Sequence, residues 1–285
     1  MHIGLTSPVV TLLPGAHSAW ERTASIADLA TIARAADRLG FDHLTCSEHV
    51  AVPREIAASR GGTYFDPLAT LGFLAAHTAR IRLATQVLVL GYHHPLAIAK
   101  RYGTLDTVSG GRLVLGLGVG SLAEEFDLLG ATFAGRGEIA DEALVALRTA
   151  LAAEVPVHHG KHFSFDDFVV SPNAVQPHVP FWIGGRTPRS LRRAVELGTG
   201  WVPFGLGADD LAAMLGKVTL PDGFEVVLGP GGAVDPIGDP ERCRRTLERL
   251  TEAGATVVNL RVSATGVEHY VEQLEALAVL GALDS

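Results

Sequence analysis

Four short stretches hold residue types and spacings that could do chemistry. Glu48 and His49 stand together at the end of the strand-like run "DHLTCSEHV" (42–50). They pair a carboxylate with the side chain whose ordinary pKa, about 6.5, suits proton exchange near neutrality. "GLGVGSLAEEF" (116–126) sets glycines at alternate positions where an apolar run ends, just before Glu124 and Glu125. Read from Gly118 it is G-x-G-x-x-A, an accepted form of the dinucleotide-binding fingerprint. "IGGRTPRS" (183–190) puts Gly184 and Gly185 before Arg186, with Thr187 able to cap a helix and Pro188 suited to its first position. Such a helix start offers free N–H groups and a partial positive charge to an anion, and Arg186 adds a full charge. Arg189 strengthens the basic character, while Arg192 and Arg193 read as a solvated helix face. In "ATQVLVLGYHHP" (84–95), His93 and His94 precede Pro95 and suit a helix cap better than a metal site.

The elements that must position these residues alternate along the chain. Strand-like runs at 2–6, 42–50, 81–90, 112–120, 180–185, 200–205, 224–229 and 255–262 are separated by segments with apolar residues at helical spacing. Such alternation implies a parallel sheet covered by helices, an α/β fold. Eight units in 285 residues fit a single (β/α)8 TIM barrel domain spanning 1–285. The stretch around 155–180 is rich in aromatic and β-branched residues and is expected to form a short hairpin excursion.

That architecture decides between readings of the glycine motif. A dinucleotide fingerprint belongs at the first strand-to-helix turn, with an acidic residue about 20 positions on at a strand end. Here the glycines close the fourth strand, and Asp141 lies inside a helical segment. In a barrel, the C-terminal ends of the strands build the active-site face, where glycines let a flat ligand lie against the backbone.

Composition narrows the partners. A formal net charge of −8 argues against a nucleic-acid surface. The two cysteines, Cys46 and Cys243, form no C-x-x-C pair and suit a reducing compartment. No apolar run reaches the length of a membrane span, and "MHIGLTSPVV" has neither a basic nor an apolar leader region. The expectation is a cytoplasmic protein acting on a small-molecule substrate, with no membrane or nucleic-acid partner and no metal.

Taken in register, "LGFDHLTCSEHVAVPRE", "ARIRLATQVLVLGYHHPLAIAKRYGTLDTVSGGR", "GRLVLGLGVGSLAEEFDLLGATFAGRGE" and "VPFWIGGRTPRSLRRAVELGTGW" resemble the luciferase-like flavin and deazaflavin oxidoreductases, in particular their F420-dependent subgroup. The resemblance runs through about residue 204. It implies coenzyme F420, or alternatively FMN, with its ring at the C-terminal mouth of the barrel. It further implies that Glu48 and His49 contact the cofactor and handle a proton. A non-proline cis peptide at Gln86–Val87 would back the ring, with Val89 further along the same strand. Gly118, Val119, Gly120 and Ser121 would lie beside the ring, and the turn Gly184, Gly185, Arg186 and Thr187 would hold the cofactor phosphate. Ser121 stands where the F420-dependent glucose-6-phosphate dehydrogenases carry a catalytic glutamate, so sugar-phosphate oxidation is not expected. Glu125 and Phe126 are expected to hold the loop, through Arg136. Substrate specificity is expected from 51–65, 154–180 and 203–238, and a homodimer from the habit of relatives. An FMN-dependent monooxygenase or a catalytically silent cofactor-binding protein would use the same cradle; the Glu48-His49 pair favours F420 over FMN, and the silent protein would not depend on His49.

Overall fold

Short β-branched and leucine-rich runs form eight parallel strands: β1 (His2–Thr6), β2 (His43–Cys46), β3 (Arg82–Thr85), β4 (Leu113–Gly118), β5 (Phe181–Gly184), β6 (Gly200–Val202), β7 (Glu225–Leu228) and β8 (Val257–Val262). The computed structural model describes residues 1–281. Each strand pairs with the next, and β8 pairs back onto β1 through His2–Val257 to Leu5–Leu260. The result is a closed (β/α)8 barrel, as the alternation predicts.

Side-chain alternation sorts the apolar residues into two cores. Ala84, Val114, Trp182, Val202, Val227 and Val257 fill the lumen as one small cluster. Leu83, Leu113, Leu115, Ile183, Val226 and Val258 face the other way into the large core beneath the helices. Helix starts follow a repeated local rule, a capping residue followed by proline. Asp66 and Asp239 accept from the amides of Ala69 and Arg242 at 2.8 and 3.0 Å, and His94 accepts from Leu96 at 3.2 Å. Proline fills the first helical position, where no N–H partner is needed.

The N-terminal end of the barrel is plugged by charge. Arg82 reaches Asp42 at 2.6 Å and Glu225 at 2.8 Å. Trp182 Nε1 donates to Glu225 at 2.6 Å, and His43 Nδ1 lies 2.7 Å from Asp42. The Arg82 guanidinium also sits 5.2 Å from the Trp182 ring centre.

The excursion is a hairpin, with His158–His159 antiparallel to Ser164–Phe165. Glu142 on the helix Arg136–Ala152 pins its turn by accepting from the amides of Lys161, His162 and Phe163 at 3.1, 2.9 and 2.7 Å. Elsewhere the expected elements shorten. The third strand stops at Thr85, is interrupted by a cis peptide at Gln86–Val87, and resumes as Leu88–Val89. Segments 51–65 and 203–238 each contain a helix without a sequence signal, Arg54–Arg60 and Ala208–Leu215.

Candidate active site

The strands end around a cavity of about 810 Å³, and every site residue named above, from Glu48 to Thr187, lies on its wall. β2 delivers Ser47, Glu48 and His49 just past its last paired residue. The hydroxyl of Ser47 donates to the Gln86 carbonyl at 2.8 Å, tying β2 to the cis bulge.

His49 is held from one side only. Its Nδ1 lies 2.7 Å from Glu125, and its ring packs edge-on against Tyr64 at 4.6 Å between centres. Glu125 is fully buried and also accepts from the Tyr92 hydroxyl at 2.7 Å and from the amides of Val50 and Ala51 at 2.6 and 3.1 Å. Burial raises a carboxyl's pKa, but here the bonds from Tyr92, His49 and the Ala51 amide outweigh it and hold Glu125 below its ordinary value. An ionised Glu125 fixes the proton of neutral His49 on Nδ1 and leaves Nε2 as the acceptor. Nε2 has no partner among the described residues.

Glu48 is placed differently from its neighbour. Its two oxygens accept from the Val89 amide and pair with His93 Nε2, both at 2.7 Å. The side chain is buried and anchors the bulge, so its carboxylate is committed to protein groups rather than to a proton shared with His49. Glu125 holds the loop as expected, but through the 49–51 backbone and His49. Arg136 instead donates to the Gly120 carbonyl at 3.0 Å and stacks on Phe133.

The glycines at the mouth make room chiefly for protein atoms. A Cβ on Gly118 would sit 2.6 Å from Val87 Cγ2, and one on Gly184 3.0 Å from Val87 Cγ1. The two strand ends are thus carved around the cis bulge, which Val87 carries into the cavity. At Gly185, φ is +138° and a Cβ would meet Ser190 Cβ at 2.6 Å. That turn feeds the helix Pro188–Leu197, whose start is closed by Thr187 accepting from Ser190 N at 3.2 Å and Ser190 Oγ from Thr187 N at 3.1 Å. Arg186 forms no ion pair among the described residues and lies 5.7 Å from the Phe204 ring centre. Arg193 overturns the solvated-face reading: it is buried, bonded to Asp141 and donating to the Gly137 carbonyl at 2.9 Å. It ties two helices together, because position 193 turns inward toward the preceding helix. Arg192 stays exposed.

Residues 7–219 match the luciferase-like monooxygenase family. The chain belongs to that family. An uncharacterised protein of Mycobacterium tuberculosis is 29% identical over 268 residues, covering 87% of this chain and 92% of the relative. A monooxygenase from Streptomyces bottropensis superposes with a TM-score of 0.80 at 22% identity, covering 98% of both chains. A coenzyme F420-dependent tetrahydromethanopterin reductase from Methanopyrus kandleri superposes with a TM-score of 0.73 at 17% identity, covering 99% of this chain and 100% of that one. At such identities these two structures speak to the fold.

This luciferase-like chain also carries mouth residues that sequence reading passed over. Tyr92, Arg60 and Tyr64 line the cavity, and Arg60 donates to Ser121 at 3.3 Å. A second cavity of about 300 Å³ opens beside the first and shares Gln86, Pro203 and Phe204 with it. Its far wall is Asn259 and Arg261 of β8 together with the glycine-rich turn after β7. The excursion 154–180 supplies no residue to either cavity; its hairpin turn is tied to Glu142, and Phe165, Val170 and Val179 join the large core. Among the described residues no helix is long and apolar enough to cross a membrane, and no cluster of His, Cys, Asp and Glu is placed to hold a metal ion.

Proposed function

We propose that this protein is an F420-dependent oxidoreductase acting on a small organic substrate at the barrel mouth. The observation that carries the reading is His49, presented to the cavity with Nδ1 locked by Glu125 and Nε2 free, on the same wall as the Gln86–Val87 bulge. The cavity is of a size that buries a drug-sized ligand. Its walls also suit the cofactor's two ends: the bulge flanked by Gly118 and Gly184 offers a flat backing, and the guanidinium of Arg186, without an ion pair among the described residues and beside the Gly185 turn, offers a charge for an anion.

Bound there, the deazaflavin would supply hydride chemistry at its C5. The chain's own part is to position and to move a proton. Val87, Gly118 and Gly184 set the plane against which the ring packs. Gly185, Arg186 and Thr187 hold the phosphate, with Val119, Gly120 and Ser121 closing the side of the cradle. His49 Nε2 accepts a proton from a substrate hydroxyl or returns one to a carbonyl oxygen, and Glu125 stabilises the imidazolium that forms. Glu48 acts as a positioning residue through His93 and the Val89 amide. A fold shared with both an F420-dependent reductase and a monooxygenase supports either cofactor class, and the motif resemblance around Glu48 and His49 favours F420 over FMN.

Parallel fluorescence titrations of the purified protein with F420 and with FMN test the reading. Binding of F420 tighter than FMN by about tenfold or more is expected. Preference for FMN would move the protein to the flavin monooxygenase branch, and binding of neither would end the cofactor reading.

A further inference from the structure

β8 carries a polar residue where a parallel barrel strand is expected to be apolar on both faces. Val257, Asn259 and Arg261 alternate along its inner side, so the lumen passes from apolar to amide to cation toward the mouth. Asn259 spends only its donor side on the barrel: its Nδ2 donates to Gln86 at 2.5 Å and to Thr6 at 3.0 Å, while its Oδ1 is buried without a partner. Arg261 is not spent. It forms no ion pair or hydrogen bond among the described residues and lines the second cavity. The acidic group that faces it is Glu21, whose oxygens already accept from the amides of Val9 at 2.9 Å and Ser18 at 2.6 Å. Tyr64 and Tyr270 are the other titratable groups that face it. Burial lowers the pKa of Arg261, although a guanidinium stays charged regardless.

A partly buried cation with five unused N–H donors costs stability unless something else occupies them. The remaining walls say what that is. Thr6, Gln86 and Asn259 form a polar strip on the barrel side, Phe204, Leu206, Leu211, Val227 and Leu228 are apolar, and the glycine-rich turn at 229–232 completes the lining. One guanidinium balances one negative charge; a phosphate dianion would leave a second charge unmatched in a protein already at −8. We propose that the second cavity is the substrate subsite and that Arg261 binds the carboxylate of an apolar monocarboxylate. Its apolar body lies along Phe204 and Leu206 toward Gln86, where the two cavities join. This rests on the mouth being the reaction site, as argued above, and it names the class of substrate that the mouth takes.

The full-length protein, with and without F420, is titrated by saturation-transfer NMR with 4-phenylbutyrate, 4-phenylbutan-1-ol and phenyl phosphate. Phenylbutyrate is expected to bind, and Arg261→Gln to weaken it about tenfold or more, the value of a lost charge-assisted pair. Arg261→Lys should recover most of that loss, and the alcohol should bind equally to all three proteins. Leu206→Trp, which fills the cavity from the opposite wall, should abolish phenylbutyrate binding without touching the cation. F420 affinity should be unchanged in Arg261→Gln. Equal phenylbutyrate binding by wild type and Arg261→Gln, or none by either, overturns the proposal, as does tighter Arg261-dependent binding of phenyl phosphate. Arg261-dependent carboxylate binding in a protein that fails to bind F420 would leave the subsite standing and the cofactor reading fallen.

Discussion

The two ends of the barrel are both charged, and they use charge in opposite ways. At the N-terminal end Arg82 is shared between Asp42 and Glu225, and Trp182 and His43 complete their hydrogen bonding. At the mouth His49 is bonded through one nitrogen, while Arg186 and Arg261 have no ionic partner among the described residues. Partly buried charge held by partners of opposite sign serves the closed barrel. Of the mouth charges, Arg186 is exposed, but a partly buried one such as Arg261, left unpaired on a cavity wall, costs stability that is offset when a ligand arrives. The contrast separates charge held by protein partners from charge left open to a ligand.

The largest effect should follow from damaging the closed end. Arg82→Met leaves Asp42 and Glu225 as neighbouring, partly buried carboxylates without their cation, which should cost about 3 kcal/mol in denaturant unfolding. F420 affinity of the fraction that remains folded should be unchanged, because no mouth residue touches this cluster. A loss below about 1 kcal/mol would show that the plug is a surface-like pair of little consequence, and the contrast would collapse. A smaller effect on stability with a larger one on binding is expected at the mouth. Gly118→Val presses side-chain atoms against Val87, where even a Cβ would lie at 2.6 Å. Overpacking of this kind should cost about 1–3 kcal/mol. Displacing the bulge should weaken cofactor binding about tenfold or more, read by the same fluorescence titration. Unchanged binding in a destabilised Gly118→Val would mean that the bulge does not back the ligand.

The same contrast explains what the sequence made legible. Strand and helix order could be read because alternation and periodicity are local, and the capping residue before each proline marks its own helix start. The candidate residues at the ends of β2, β4 and β5 that line the cavity could be picked out because each stretch carries its motif in a few consecutive positions. What escaped were relations across the barrel. Nothing local tells Glu125 that its partner is His49 rather than Arg136, since that pairing spans strand ends 76 positions apart. Arg193 looked solvated because a helix face is judged from its own pattern, and Asp141 lies on another helix. Arg261 did leave a trace, a cation on the inward register of the last strand. It carried no meaning until the lumen-facing set was known.

Acid should separate the two ends by the smallest and most gradual effect. Burial alone would raise both Asp42 and Glu125, but His43 and Arg82 hold Asp42 far below its ordinary range, and Tyr92, His49 and the Ala51 amide hold Glu125 below its own. In the unfolded chain these carboxyls titrate near ~3.9 and ~4.3. A carboxyl whose pKa is depressed by folding binds fewer protons folded than unfolded. Its stabilisation is therefore complete above the unfolded value and is lost as the pH falls through the folded one. Unfolding free energy should stay level for these groups down to about pH 5 and then decline, with a slope of at most about 1.4 kcal/mol per pH unit from each. Glu125→Gln should flatten the upper part of that acid limb, and Asp42→Asn the lower part, because Asp42 is held further down. Urea unfolding at half-unit pH steps reads both. If Glu125→Gln leaves the acid limb unchanged, the mouth carboxylate is not ionised against its surroundings in the way its four hydrogen bonds require. His49 would then lack the fixed anion that keeps its Nε2 open to substrate.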